Sequence, residues 1–151
     1  MRVSVHKLPP WLDRAQLVAA TKFYASVLMS PRLAKNIEVR ICFEKTSLDG
    51  SCAAEEFDRP REFTIYLNEK HKTRKTLISL AHEMVHVKQY ATGELRDYVR
   101  STSLNRWRGE MIDDEKINYW DRPWEVEAFG REFGLYARFK ENTYEKKARK
   151  T

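Results

Sequence analysis

The chain contains only two cysteines and no long apolar run, and each shortage excludes a class of protein. Cys42 and Cys52 are too few for a disulfide framework, and they do not form the Cys-x-x-Cys pair of a zinc ribbon. No stretch approaches the roughly 20 apolar residues of a membrane helix. Residues 1–7 lack the apolar core of a secretory signal. We therefore expect no membrane association and a reducing, cytoplasmic location.

The composition is that of a globular protein with a basic balance. The 151 residues suffice for one domain, which we expect to span residues 1–151. Hydrophobic residues make up 42% and charged residues 33%. The net charge of +6 makes nucleic acid a conceivable partner, although no strong nucleic-acid motif accompanies it. Residues 140–151 carry much of the excess, and we interpret them as a flexible basic tail.

Hydrophobic periodicity predicts an α+β domain. Apolar residues recur at helical spacing in three segments, whereas two shorter segments alternate as half-buried strands do. A polar, turn-rich loop fills residues 47–60, and residues 94–121 are expected to be irregular, with a short strand or hairpin near Trp107. The predicted helices cover residues 11–29, about 73–92 with Gly93 as C-terminal cap, and 123–140, and the predicted strands cover residues 37–43 and 62–68.

The most informative stretch is His82-Glu83-Met84-Val85-His86, which matches His-Glu-x-x-His. On a helix, two histidines at i and i+4 lie one turn apart on the same face and can reach one metal ion. With His82 as reference, His86 falls about 40° away, while the apolar residues cluster on the opposite side of the helix. The two imidazoles are therefore predicted to face a cleft and to bind a metal.

A zinc site with two histidines needs a third protein ligand and an open position for water. A third histidine six residues after His86 is excluded, because Thr92 stands there. His6 and His71 are poor candidates from their surroundings. The third ligand should therefore be a carboxylate downstream of His86, and the segment that begins at Pro123 offers two.

The helical wheel separates Glu125 from Glu127. Glu125 shares a largely apolar face with residues such as Phe129, where an unpaired carboxylate is costly to bury. Glu127 falls on the far side, where it can form a solvated pair with Arg131 at i+4. We therefore predict Glu125 as the third ligand. Glu132 lies on the Glu125 face, as either an acceptor for a ligand imidazole or an ordinary half-exposed glutamate.

At these residues the chain resembles the zincin metallopeptidases, specifically the gluzincin branch. That family carries His-Glu-x-x-His on one helix and a glutamate ligand on a later helix that often reads Glu-x-x-x-Asp. The resemblance places the ligand at Glu125, but Phe129 stands where the family usually has Asp. In order and type of elements it covers roughly residues 62–139, and the small size resembles the minigluzincins and the compact zincin-like proteins of phage and bacterial genomes.

The resemblance implies a zincin-like fold, with a small, mostly antiparallel sheet packed on the active-site helix. It also implies one Zn²⁺ per chain, held by His82, His86 and Glu125, and hydrolysis of peptide bonds by a zinc-activated water with Glu83 as general base. Tyr119, Tyr136 and the arginines of the connecting segment are candidates for stabilising the oxyanion, and spacing does not choose among them. The strand at residues 62–68 is expected to border the cleft with a free edge, which an extended peptide can join.

Two other functions remain open at this point. The chain can be a metal-binding, zincin-like regulator without proteolysis, or a nucleic-acid-associated protein that uses its basic charge. The intact Glu83 argues against the first, because a structural zinc needs no base. If the chain is encoded by a phage, the expected location is the host cytoplasm.

Overall fold

The computed structural model describes residues 1–55, 58–98 and 101–148. Its helices and its two small sheets come in separate runs along the chain, which confirms the α+β class. The strands are β1 (Arg2–His6), β2 (Glu38–Glu44), β3 (Gly50–Ala54), β4 (Glu62–Asn68), β5 (Leu95–Tyr98), β6 (Ser101–Trp107) and β7 (Glu110–Asp113), and the helices are α1 (Arg14–Leu28), α2 (Pro31–Lys35), α3 (Thr73–Thr92) and α4 (Pro123–Ala148).

The four-stranded sheet has the order β1-β2-β4-β3 and is mostly parallel. β1 pairs parallel with β2, β2 pairs parallel with β4, and only β3 runs antiparallel, along β4. The expectation of a mostly antiparallel sheet is therefore wrong. The physical reason is the crossover: α1 and α2 carry the chain back to the end of the sheet where β1 began, so β2 must run in the same direction as β1.

β4 is a central strand rather than an edge strand, because β3 covers its outer side. Phe63, Ile65 and Leu67 are buried on one face and Thr64 is buried on the other. The predicted free edge at residues 62–68 is therefore wrong, and β3 is the outer strand instead. β3 lies inside the segment that we expected to be a loop. The strand was not predicted because its short sequence Gly-Ser-Cys-Ala-Ala does not alternate between apolar and polar residues.

Two further predictions change in the second half of the chain. Residues 94–121, expected to be irregular, include the antiparallel sheet β5-β6-β7, with a turn at Arg108 and Gly109 where φ is 46° and 92°. The hairpin near Trp107 is thereby confirmed. α4 continues to Ala148 instead of ending near Lys140, so most of the expected basic tail is helical, and residues 149–151 lie outside the described part.

No helix in the described ranges has the length and apolar character needed to cross a membrane.

α3 is the central helix of the fold, and its predicted limits are confirmed. It begins at Thr73 and ends at Thr92, and Gly93 adopts a left-handed φ of 78° that closes it. Leu77, Leu80 and Met84 lie in the main core. α3 contacts β3 and β4 of the four-stranded sheet and also packs against α1 and α4. This packing places the His-Glu-x-x-His turn against α4.

Candidate metal centre

His82 and His86 lie one turn apart on α3 and point the same way. Their Nε2 atoms are 3.2 Å apart, and each residue is 8% exposed. Successive turns of a helix place i and i+4 side chains side by side, which explains why the motif brings the two rings together. Two imidazole nitrogens with converging lone pairs form two corners of a metal site.

Glu125 supplies a carboxylate oxygen to the same point from the first turn of α4. Its Oε2 lies 3.3 Å from Nε2 of His82 and 3.6 Å from Nε2 of His86. The candidate ligand atoms of these residues all lie within 4.8 Å of one another, so the group can hold a metal ion. Although burial alone would raise the pKa of Glu125, the adjacent His82, His86 and Tyr119 side chains hold that pKa well below its ordinary value. Glu125 therefore stays ionised, as a metal ligand must.

The outward nitrogen of His82 is bonded to Glu132. Nδ1 of His82 lies 2.8 Å from Oε2 of Glu132, which is seven residues after Glu125 on α4. An ionised carboxylate can only accept, so this bond keeps the proton on Nδ1 and the Nε2 lone pair toward the site. Phe129 packs its ring 4.6 Å from the His82 ring, edge to face. Glu132 therefore supplies the carboxylate behind His82, and Phe129 contributes an aromatic ring contact.

The outward nitrogen of His86 is bonded to Gln89, which the sequence did not single out. Nδ1 of His86 lies 2.8 Å from Oε1 of Gln89. The Gln89 amide, in turn, donates to the Trp124 carbonyl and to Oε2 of Glu127, both at 2.9 Å. Gln89 is fully buried, with 0% exposure. The only sequence signal was its place on the histidine side of the α3 wheel.

Glu127 is not the solvated residue that the wheel predicted. Its carboxylate contacts Lys88 at 2.9 Å and Gln89 at 2.9 Å, whereas Arg131, the expected partner, lies 3.9 Å away. The Glu127 side chain is 17% exposed. The wheel placed Glu127 correctly away from the metal group, but α3 packs against that face of α4 and removes it from water.

Glu83 lies beside the metal group at the bottom of the same cleft. It is 4% exposed, and burial raises its pKa to about 6, although the neighbouring histidines oppose the shift. A carboxylate with a pKa near neutrality is suited to accept and return a proton. Gly50 of β3 makes this position possible, because a Cβ there would stand 2.9 Å from Oε1 of Glu83 and 3.1 Å from the Tyr66 carbonyl.

The cleft has a volume of about 630 Å³ and three distinct walls. α3 forms its floor, and the outer strand β3 with the preceding loop forms one side. The opposite side consists of α4 and the short 3₁₀ turn Tyr119–Asp121. A volume of this size is typical of sites that bind small molecules or short segments of a larger ligand.

Only one of the two tyrosine candidates reaches this cleft. Tyr119 lines it and donates its hydroxyl to Oε2 of Glu125 at 3.0 Å. Burial and the Glu125 carboxylate raise the pKa of Tyr119 well above its ordinary value, so it remains a donor. Tyr136 lies on a later turn of α4, where its ring is 6.2 Å from that of Phe133, and it is not among the residues that line the cleft.

Comparisons of the chain with protein-family models, with curated proteins and with solved structures gave no match.

Proposed function

We propose that this protein is a zinc-dependent metallopeptidase with a gluzincin-type site on a zincin-like domain. The observation that carries the proposal is the position of Glu83. A buried carboxylate with a raised pKa lies next to a converging His-His-Glu group, and both line one open cleft. A site that only held a structural metal would have closed coordination and no use for such a base.

The donor set supports zinc as the metal, with one ion per chain. Two imidazole nitrogens and one carboxylate oxygen are a common ligand set of catalytic zinc, which keeps a further position open. His82, His86 and Glu125 supply this set, and their free side faces the cleft. When bound, zinc supplies a Lewis acid and lowers the pKa of a coordinated water toward ~7.

The residues around the group have separate roles in this proposal. Glu83 removes a proton from the attacking water and passes it to the leaving amine. Its burial favours both halves of that transfer, because the pKa of about 6 lies between those of a solvated carboxyl group and an amine. Tyr119 is the candidate for hydrogen bonding to the oxyanion, since its hydroxyl already lies 3.0 Å from the Glu125 carboxylate at the cleft wall.

β3 provides a place for the peptide backbone. It is one of the two outer strands of the four-stranded sheet, and its residues Gly50, Ser51 and Cys52 line the cleft. An extended peptide can pair with such an edge and pass the metal group in a defined register. The proposed substrate is therefore a peptide or an unfolded protein segment.

The test is hydrolysis by Glu83→Gln beside the wild-type protein. We expect the variant to keep its zinc and its fold while the cleavage rate on an unstructured protein falls by a factor on the order of 10² to 10⁴. The readout is appearance of new amino termini, with zinc content measured on the same samples. Equal rates for both proteins would disprove the role of Glu83. Zinc binding without any cleavage by the wild type would favour the regulator.

A further inference from the structure

We propose that Glu127 is a positioning residue for the metal centre, which acts through Gln89 to fix the tautomer and orientation of His86. The inference rests on the metal site of the proposed function, but it does not depend on hydrolysis. Glu132 contacts the candidate ligand His82 directly, whereas Glu127 makes no such direct contact with His86. Its connection to His86 runs through one buried amide.

The first step is the orientation of the Gln89 side chain. Its nitrogen has two partners that can only accept, the Trp124 carbonyl oxygen and the Glu127 carboxylate, each at 2.9 Å. A flipped amide would set its oxygen against both of these oxygens. Because Gln89 is fully buried, no solvent compensates for such an arrangement. Nε2 must therefore face Glu127, and Oε1 must face His86.

The second step follows from the acceptor that His86 meets. Oε1 of Gln89 lies 2.8 Å from Nδ1 of His86 and can only accept, so Nδ1 must carry a proton. In a neutral imidazole the lone pair is then on Nε2, the atom that faces His82 and Glu125. Glu127 thus selects the binding-competent tautomer of a ring that it does not touch.

The third step is the charge balance that keeps Glu127 in place. Lys88, which is 8% exposed, lies between two carboxylates, with Nζ bonded to Glu94 at 2.6 Å and to Glu127 at 2.9 Å. Arg108 lies near both carboxylates, at 3.9 Å from Glu94 and 3.7 Å from Glu127. These two cations and the Gln89 amide together hold the Glu127 carboxylate in its position beside α3.

This arrangement provides a matched pair of variants. Glu127→Ala and Glu94→Ala each remove one of the two carboxylate partners of Lys88 and leave the other. They differ at Gln89, which only Glu127 contacts. Glu127→Gln is the conservative variant, because its side-chain oxygen can still accept from the Gln89 amide.

The experiment reads the tautomer of His86 by ¹H–¹⁵N imidazole spectra of the metal-free protein at about pH 9, well above the ordinary histidine pKa of ~6.5. Zinc affinity is measured by competition titration on the same variants. We expect Glu127→Ala to give mixed tautomers at His86 and about 10-fold weaker zinc binding. Glu94→Ala should retain both properties, and Glu127→Gln should restore most of them.

Two results would overturn the inference. One is a single Nδ1-protonated signal with unchanged zinc affinity in Glu127→Ala. The other is an equal loss in Glu94→Ala, which would assign the effect to Lys88 alone. If Glu127→Ala fails to fold, Glu127→Met takes its place, because it keeps a long side chain but offers no carboxylate to the Gln89 amide. It is compared with Glu94→Met, and equal tautomer mixtures in the two variants would also refute the role of Glu127. If the wild type binds no zinc, the proposed function fails while the imidazole spectra still test Glu127.

Discussion

α3 and α4 contribute to the candidate centre in different ways. α3 provides His82, Glu83 and His86 within little more than one turn, so their relative positions follow from helix geometry alone. α4 provides Glu125, Glu127 and Glu132, and these reach the centre only because α4 packs across α3. α3 therefore determines which imidazole nitrogens can bind a metal. α4 adds the carboxylate that completes the ligand group and the side chains that orient the two rings.

The two imidazoles show the same contrast in their support. His82 is held directly by a carboxylate, with its Nδ1 at 2.8 Å from Oε2 of Glu132. His86 is held by a neutral amide, and the charge of Glu127 stands one bond further away. Hydrogen bonds to charged groups are roughly twice as strong as neutral ones. Because of these contacts, we expect the orientation of the His82 ring to depend on Glu132 alone. The orientation of the His86 ring should depend on both Gln89 and Glu127.

Glu125→Ala should produce the largest effect, because it removes the one candidate ligand that α4 contributes. Zinc affinity should fall by more than the roughly 10- to 100-fold cost of losing a partner behind a ligand. The increase in Tm that zinc gives the wild type should also disappear, since a bound ion stabilises only the state that binds it. Competition titration and thermal unfolding with and without zinc measure both. Glu141→Ala, an exposed position on the same helix, is the control and should match the wild type.

Gly50→Ala should affect Glu83 on the α3 side and leave the metal group intact. The new Cβ would stand 2.9 Å from Oε1 of Glu83 and 3.1 Å from a β4 carbonyl, so the carboxylate or β3 must move. We expect the cleavage rate to fall on the order of 10- to 100-fold, as for a misplaced catalytic group, with zinc affinity unchanged. Gly130→Ala is the matched control, because nothing lies within 4 Å of a Cβ there. A full cleavage rate in Gly50→Ala would show that the close approach of β3 to Glu83 does not matter.

Glu132→Ala should weaken zinc binding by about 10-fold, because Nδ1 of His82 loses its acceptor. Glu132→Gln should cost less, since an amide oxygen can still accept from Nδ1, and the difference between the two variants measures the value of the charge. Both are compared by zinc titration. Should the alanine variant bind as tightly as the wild type, the contrast between the supports of His82 and His86 would be lost.

The same division explains what the sequence predicts and what it does not. The limits of α3, the shared direction of its histidines and the face that carries Glu125 and Glu132 all follow from spacing within one helix. The place of Glu127 does not, because its surroundings include Lys88 of α3 and Arg108 of the β6–β7 turn. Whether a helix face is solvated depends on which elements pack against it. A helical wheel describes one helix alone and cannot show those neighbouring elements.

The sheet was harder to predict for a related reason. The sequence of β3 shows no alternation of apolar and polar residues. Its strand conformation is recognised only from its pairing with β4 in the structure. The parallel direction of β1, β2 and β4 depends on where the connecting helices return the chain, which periodicity does not record. Gln89 was missed because a lone glutamine has no metal-binding signature. Its role in the structure comes from two hydrogen bonds to α4.

The central claim is that α3 and α4 jointly hold one zinc ion through His82, His86 and Glu125. The most direct test is the zinc content of the wild type and of Glu125→Ala, both purified without added metal and measured by elemental analysis. The account predicts about one equivalent per chain in the wild type and a small fraction of that in the variant. A wild-type protein that carries almost no transition metal and takes up no zinc on titration would contradict it. So would a Glu125→Ala protein that holds as much zinc as the wild type.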